Sequence, residues 1–205
     1  VRIGILGCEV LKNEIEMLTE GDPEVVHREY LERGLHDFPE RLRETLEKKL
    51  SDLEGKVDVL FLGYAVCKSL YDVPKTSGFP VIMLREEDCI GSILGPAEYV
   101  GERSACPGTW FCSPGWAEWG LDAVVSDEQI EGLEEMGFDK MYFVKKELEG
   151  YSRCLFIDTG VSGSEKYLAM AEDFAHRTGL RLECRKGDLS SIKGAWRKVK
   201  SFSDG

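Results

Sequence analysis

Apolar positions along the chain fall into two kinds of stretch. One kind is short and nearly continuous: Val1 to Gly7, Val57 to Gly63 (V-D-V-L-F-L-G) and Pro80 to Leu84 (P-V-I-M-L) are aliphatic almost throughout and bounded by Gly or Pro. Such runs suit strands covered on both faces. The other kind recurs every three or four residues. Phe38, Leu42, Leu46, Leu50 and Leu53 share one face of a long helix that opens near Asp37, carries Pro39 in its first turn and ends at Gly55. Arg41, Arg43, Glu44, Glu47, Lys48 and Lys49 take its other faces. Val10, Ile15, Met17 and Leu18 give a shorter helix over Glu9 to Leu18, and Val25 to Leu31 reads as another strand. Strand, helix, strand, helix, strand in that order predicts a parallel sheet with right-handed crossovers.

The pattern then changes. Ala105 to Gly120 (A-C-P-G-T-W-F-C-S-P-G-W-A-E-W-G) holds three of the four tryptophans and reads as an ordered crossing between two halves. Beyond it, Asp127 to Gly137 predicts a helix, followed by the apolar stretch Lys140 to Val144 and a strand over Cys154 to Asp158. Glu165 to Arg177 predicts a helix with Leu168, Ala171, Phe174 and Ala175 inward and Gly179 as a left-handed cap. Leu180 to Arg185 alternates Leu180, Leu182 and Cys184 against Arg181, Glu183 and Arg185, the pattern of a half-buried strand. The fold class expected is α/β: a mainly parallel sheet flanked by helices, as one domain over 1–205 or as two lobes, 1–110 and 111–205, with a cleft between them.

Composition narrows the partners. The formal net charge of -12 repels a phosphate backbone, and the basic residues are interleaved with acidic ones, so nucleic acid is not an expected ligand. No apolar run approaches the roughly 20 residues of a bilayer span. Because the chain opens on a strand-like run and not on an export signal, a cytoplasmic location is expected. Seven cysteines is an odd number for a disulfide framework, and in a reducing compartment they are buried thiols or metal ligands.

Three of those cysteines share a placement. Cys8, Cys67 and Cys89 each follow a strand-like run, and in an open parallel sheet the loops after the strands gather along one edge, where ligands bind. If the strands are neighbours the thiols converge. Convergent thiols favour zinc or an iron–sulfur cluster, with a remaining position open to a small-molecule substrate. The competing readings are a reactive, metal-free thiol and three small buried hydrophobes. Cys154 and Cys184 lie within strand patterns and read as core. Cys106 and Cys112 are spaced too irregularly for a metal motif.

Other residues stand near this chemistry. His36, at the entry to the long helix, is a candidate ligand or general base, or a histidine satisfied by backbone groups. Tyr64 and Lys68 flank Cys67, placed to tune its thiol or orient an anion, or simply to pack and to be solvated. The turn from Asp158 to Glu165, with Ser162 in it, suits an anion at a helix N-terminus, or is an ordinary serine cap. Trp110 and Trp116 form either one wall against a flat ligand or aromatic packing.

Several segments together resemble a known family: G-C-E-V-L-K-N-E-I-E, L-H-D-F-P-E-R-L, L-G-Y-A-V-C, D-C-I-G-S-I-L-G, P-G-T-W-F with S-P-G-W-A-E, and G-D-L-S-S-I-K-G-A-W. They are similar to the family catalogued as domain of unknown function 1638, over nearly the whole chain. Carried over, its pattern falls on Cys8, His36, Cys67, Asp88, Cys89, Pro107, Gly108, Thr109 and Trp116. Many members place a histidine directly before the Asp-Cys pair; here that position is Glu87, which must substitute for it or leave its role unfilled. The resemblance implies anaerobic metabolism, one-carbon or corrinoid-related, with a corrinoid or a corrinoid protein as partner. It equally accommodates a non-catalytic module that binds a corrinoid or another small anion.

Overall fold

A computed structural model describes residues 1–67, 70–133 and 137–203. The chain divides into two compact units, Val1–Pro96 with Asp188–Gly205, and Ala97–Gly187. Both are built on parallel sheets flanked by helices, so the fold is α/β. Among the described residues, no helix is long and apolar enough to cross a membrane.

The first unit holds β1 (Ile3–Cys8), β2 (Val25–Leu31), β3 (Val59–Gly63) and β4 (Val81–Met83) in the order β2-β1-β3-β4, all parallel. The central strands β1 and β3 are buried at every residue. They are covered on both faces, which is why their sequences run apolar without alternating. The edge strand β2 is mostly half-buried and carries His27, Arg28 and Glu29. Helix α1 (Lys12–Thr19) joins β1 to β2, and α2 (Pro39–Asp52) joins β2 to β3 with Leu42, Leu46 and Leu50 buried at four-residue spacing. Proline opens α2, where its missing N–H costs nothing. After β4 come α3 (Cys89–Leu94) and the start of α4 (Pro96–Ala105). The chain returns to this unit as α9 (Ser190–Lys200), which packs on β3 and β4 with Trp196 6.0 Å from the ring of Phe61.

The second unit holds β5 (Thr109–Cys112), β6 (Arg153–Asp158) and β7 (Arg181–Lys186), parallel and in sequence order. Between β5 and β6 lie α5 (Pro114–Trp119), α6 (Asp127–Ile130) and α7 (Lys140–Glu147); α8 (Ser164–Thr178) joins β6 to β7. Gly179 closes α8 in the left-handed conformation at φ 78°, as its sequence implied.

Three expectations change. The Pro/Gly/Trp segment is not merely a crossing, since it contains both β5 and α5. The helix expected over Asp127 to Gly137 runs only from Asp127 to Ile130, with residues 134–136 outside the described set. Cys184 is exposed and not core; it lies near the end of β7, the edge strand of its sheet, where Leu182 is only half-buried.

Candidate functional site

In the first sheet the connection after β1 leads outward to β2, while the connection after β3 leads the opposite way to β4. The two strands are neighbours, so a topological switch point lies between their carboxyl ends. Gly7 and Gly63 face each other there in register. A Cβ on Gly63 would run into Ile15 Cδ1, so the two glycines let α1 press close to the sheet at this edge. Cys8 ends β1 directly above that pair.

Tyr64 and Cys67 follow β3 at the same edge. The Tyr64 side chain is buried with its hydroxyl beside the Cys8 thiol and no hydrogen-bond partner of its own among the described residues, and Cys67 is close enough to Cys8 and to Asp88 for each to raise its pKa. Burial is the main cause in every case: it pushes Cys8 up to about 11, Cys67 up to about 12, and the Tyr64 phenol upward as well. Backbone N–H groups partly oppose this at the two thiols, that of Val10 at Cys8 and that of Ala65 at Cys67. Both thiols are therefore protonated at neutral pH.

Cys67 adopts φ 43°, the left-handed region that a non-glycine residue enters only when its surroundings hold it there. Its holders are visible: Val66 N–H donates to Glu86 O at 2.9 Å and Cys67 N–H to Glu87 O at 3.0 Å. This pairing ties the loop after β3 to the loop after β4. Asp88 in turn caps α3, its Oδ1 accepting from Gly91 N–H at 2.9 Å, and Cys89 is the first residue of that helix. Cys8, Tyr64, Cys67 and Asp88 thus form one connected group, with Cys89 one residue further along. Among the described residues, no group of three or more His, Cys, Asp or Glu side chains is set out to hold a metal ion.

The remaining candidates are placed as follows. His36 sits in a 3-10 turn after β2, 3.4 Å from the carboxylate of Asp37. Glu87 is exposed, and Lys68 lies outside the described residues. Gly108, Thr109, Trp116 and Ser162 belong to the second unit. There Gly108 allows the backbone to meet Gly150 O. Thr109 Oγ1 accepts from Arg153 at 3.0 and 2.8 Å. Trp116 packs edge-on to Trp110, which stacks on Phe174 at 5.4 Å. Ser162 is exposed, and the residue that caps α8 is Gly163 at φ 75°, with no side-chain cap.

Two features had no sequence signal. Glu14 on α1 is wholly buried. Glu86 is held at Oε2 by the hydroxyl of Ser92 at 3.3 Å and at Oε1 by that of Ser191, which arrives from the far end of the chain.

A crystal structure assigned as an aspartate carbamoyltransferase from Leishmania major Friedlin aligns with 95% of this chain and 64% of its own, at 10% identity and a TM-score of 0.26, too low to carry any argument. The chain thus spans under two thirds of that protein. No curated protein matches the sequence. The model of one family, described as Protein of unknown function (DUF1638), matches residues 30–196.

Proposed function

The chain belongs to the DUF1638 family of proteins of unknown function, and from that premise we propose that it is a thiolate metal-binding protein, with Cys8, Cys67 and Cys89 as ligands for zinc or an iron–sulfur cluster. The observation that supports this is the meeting of Cys8 and Cys67, from two different strand ends, at the switch point where open parallel sheets place ligands.

The donor chemistry fits. Sulfur selects soft metals, and thiols held protonated by burial are ligands that exchange a proton for a metal. A bound zinc ion would supply Lewis-acid chemistry, and a cluster electron transfer. The protein's own groups have separate tasks. The buried Tyr64 hydroxyl, beside the Cys8 sulfur and without a hydrogen-bond partner of its own among the described residues, is placed to donate to a Cys8 thiolate. The strained Cys67 backbone, fixed by Glu86 and Glu87 carbonyls, presets the loop, so that little ordering remains for the ligand step. Cys89, first residue of α3 beside the capping Asp88, is the third sulfur of the proposal; among the described residues the three thiols are not set out as a ligand group, so binding would have to draw it in. A metal-free nucleophilic cysteine is the weaker reading, because a protonated thiol attacks slowly at neutral pH. The cytoplasmic, anaerobic, one-carbon or corrinoid setting that the resemblance implies belongs to this same proposal.

Anaerobic reconstitution with Zn(II), or with Fe(II) and sulfide, followed by metal and sulfide analysis, tests it. Stoichiometric uptake by the native protein and by Cys106→Ser is expected, with loss in Cys8→Ser and Cys67→Ser. No uptake by the native protein, or equal uptake by all variants, refutes the reading.

A further inference from the structure

The first unit contains a cavity of about 820 Å³ beside β4 and α9. Sites for small molecules occupy roughly 300–1,000 Å³ and are mostly apolar with a few placed polar groups. Six consecutive residues, Val81 to Glu86, line one side. All three residues of β4 are only half-buried although the sheet is parallel, because β4 has β3 on one side and the cavity on the other. On the opposite wall Gly194 and Ala195 of α9 present almost no side chain. A Cβ built on Gly194 meets nothing within 4 Å.

The charges at this cavity run against the rest of the molecule. Net charge is -12, yet Arg85 and Lys198 both line the cavity, and among the described residues neither side chain has an ion-pair partner. Glu86 is the carboxylate that lines it, and both of its oxygens are engaged, Oε1 by Ser191 and Oε2 by Ser92 and the N–H of Arg85 at 3.1 Å. Two cations against the one Glu86 carboxylate leave the lining net positive in an acidic protein, and over an apolar floor this complements an anion with an apolar body. We infer that this cavity is a binding site for a small amphipathic organic anion, a carboxylate or phosphate head on an aliphatic or aromatic body. The head lies between Arg85 and Lys198, and the body lies along Val81 to Leu84 against Gly194. Val66 shares the wall and is followed directly by Cys67, so the cavity adjoins the loop of the thiol centre. The inference itself requires no metal.

The test uses the full-length, metal-free protein with 8-anilinonaphthalene-1-sulfonate as fluorescent probe, displaced by octanoate or by 1-octanol. One saturable site is expected, with octanoate displacing the probe at least tenfold better than the neutral alcohol. Arg85→Gln combined with Lys198→Gln, both exposed, is expected to remove that preference and weaken octanoate at least tenfold. Gly194→Trp, which grows into open space, is expected to abolish binding while melting at or above the native temperature. Equal displacement by octanoate and octanol, an unchanged charge variant, a folded Gly194→Trp that still binds the probe, or no saturable signal up to millimolar octanoate would each overturn the inference.

Discussion

Cys8 and Cys112 occupy the same position in the two units: each is the last residue of the first strand of its sheet, and each is buried. Their neighbours differ. Cys8 meets a tyrosine hydroxyl and a second loop thiol at a sheet edge where two connections part, whereas Cys112 meets Cys154 inside the core of the second unit. The strand order explains this. In β2-β1-β3-β4 the connections diverge between β1 and β3, but β5-β6-β7 proceeds steadily in one direction and has no such point. A thiol at a strand end is thus a candidate ligand only where the topology opens a crevice for it. The starting edges of the two sheets invert the contrast. Arg2 and Asp58 pair at 2.6 Å in solvent, while Arg153 and Glu102 pair at 2.7 Å almost wholly buried, with Glu183 and Thr109 completing the network. The first unit concentrates its polar chemistry at the finishing edge, the second at the starting edge, where it serves stability.

The largest effect expected from this contrast is at Arg153. Arg153→Met leaves the buried Glu102 with Arg185 as its remaining partner and is expected to cost about 3 kcal/mol, the low end for a broken buried pair, with much of the loss recovered in the double variant Arg153→Met, Glu102→Leu. Arg2→Met, at an exposed pair, is expected to leave the unfolding midpoint unchanged. Denaturant titration followed by tryptophan fluorescence checks both; a benign Arg153→Met would remove the distinction between the two starting edges. Next in size is thiol reactivity. Cys106 has its pKa lowered by hydrogen bonds from Ser152 and Thr109, against the upward shifts at Cys8 and Cys67. At pH 7.5 alkylation of Cys106 is expected to run about 100-fold faster than that of either, as read by peptide mass spectrometry. A Cys8 that reacts as fast as Cys106 would mean that the crevice is open and its thiol activated.

The same shifts set a pH dependence. The unfolded chain releases each of these protons near the ordinary thiol value of 9.0, whereas folded Cys8 and Cys67 hold theirs up to about 11 and 12. The folded state therefore binds more protons above pH 9, and stability is intact below that pH. It falls as pH rises, by at most about 1.4 kcal/mol per unit per thiol, until the folded values are passed. Cys8→Ser is expected to flatten this slope, and Cys106→Ser is expected to leave it unchanged.

How much of this was legible depended on whether the signal was local. Val25–Leu31 was readable to the residue, and β1 and β3 were readable to within two because continuous apolar runs bounded by Gly or Pro have few other structural meanings. The strand β5 was not, since four residues between Gly108 and Ser113 look like a loop until Arg153 and Cys154 of β6 arrive to pair with them. Helix α3 was hidden for another reason: buried from Ile90 to Leu94, it has no polar face to give a period. The candidate site divides along the same line. That Cys8, Cys67 and Cys89 each follow a strand-like run was visible. That Cys8 and Cys67 meet depends on β1 and β3 being neighbours, a long-range pairing that neither segment encodes alone. Nothing near Glu86 announces that Ser191 will reach it from more than a hundred residues away.

The smallest predicted effect tests whether the two units are separate at all. Gly194 in α9 and Gly101 in α4 both lie inside helices, and at both an added Cβ meets nothing within 4 Å. Glycine in a helix interior costs roughly 0.5–1 kcal/mol relative to alanine, chiefly through the entropy it holds when unfolded. Gly194→Ala and Gly101→Ala should therefore each stabilise the protein by about that amount. The informative question is where the gain appears. Each unit has its own buried core, so Gly194→Ala is expected to slow hydrogen exchange at the amides of β1 and β3, and Gly101→Ala at those of β5 and β6. If either substitution protects both sheets equally, the units open together, and the contrast between their two thiol environments describes one cooperative structure instead of two.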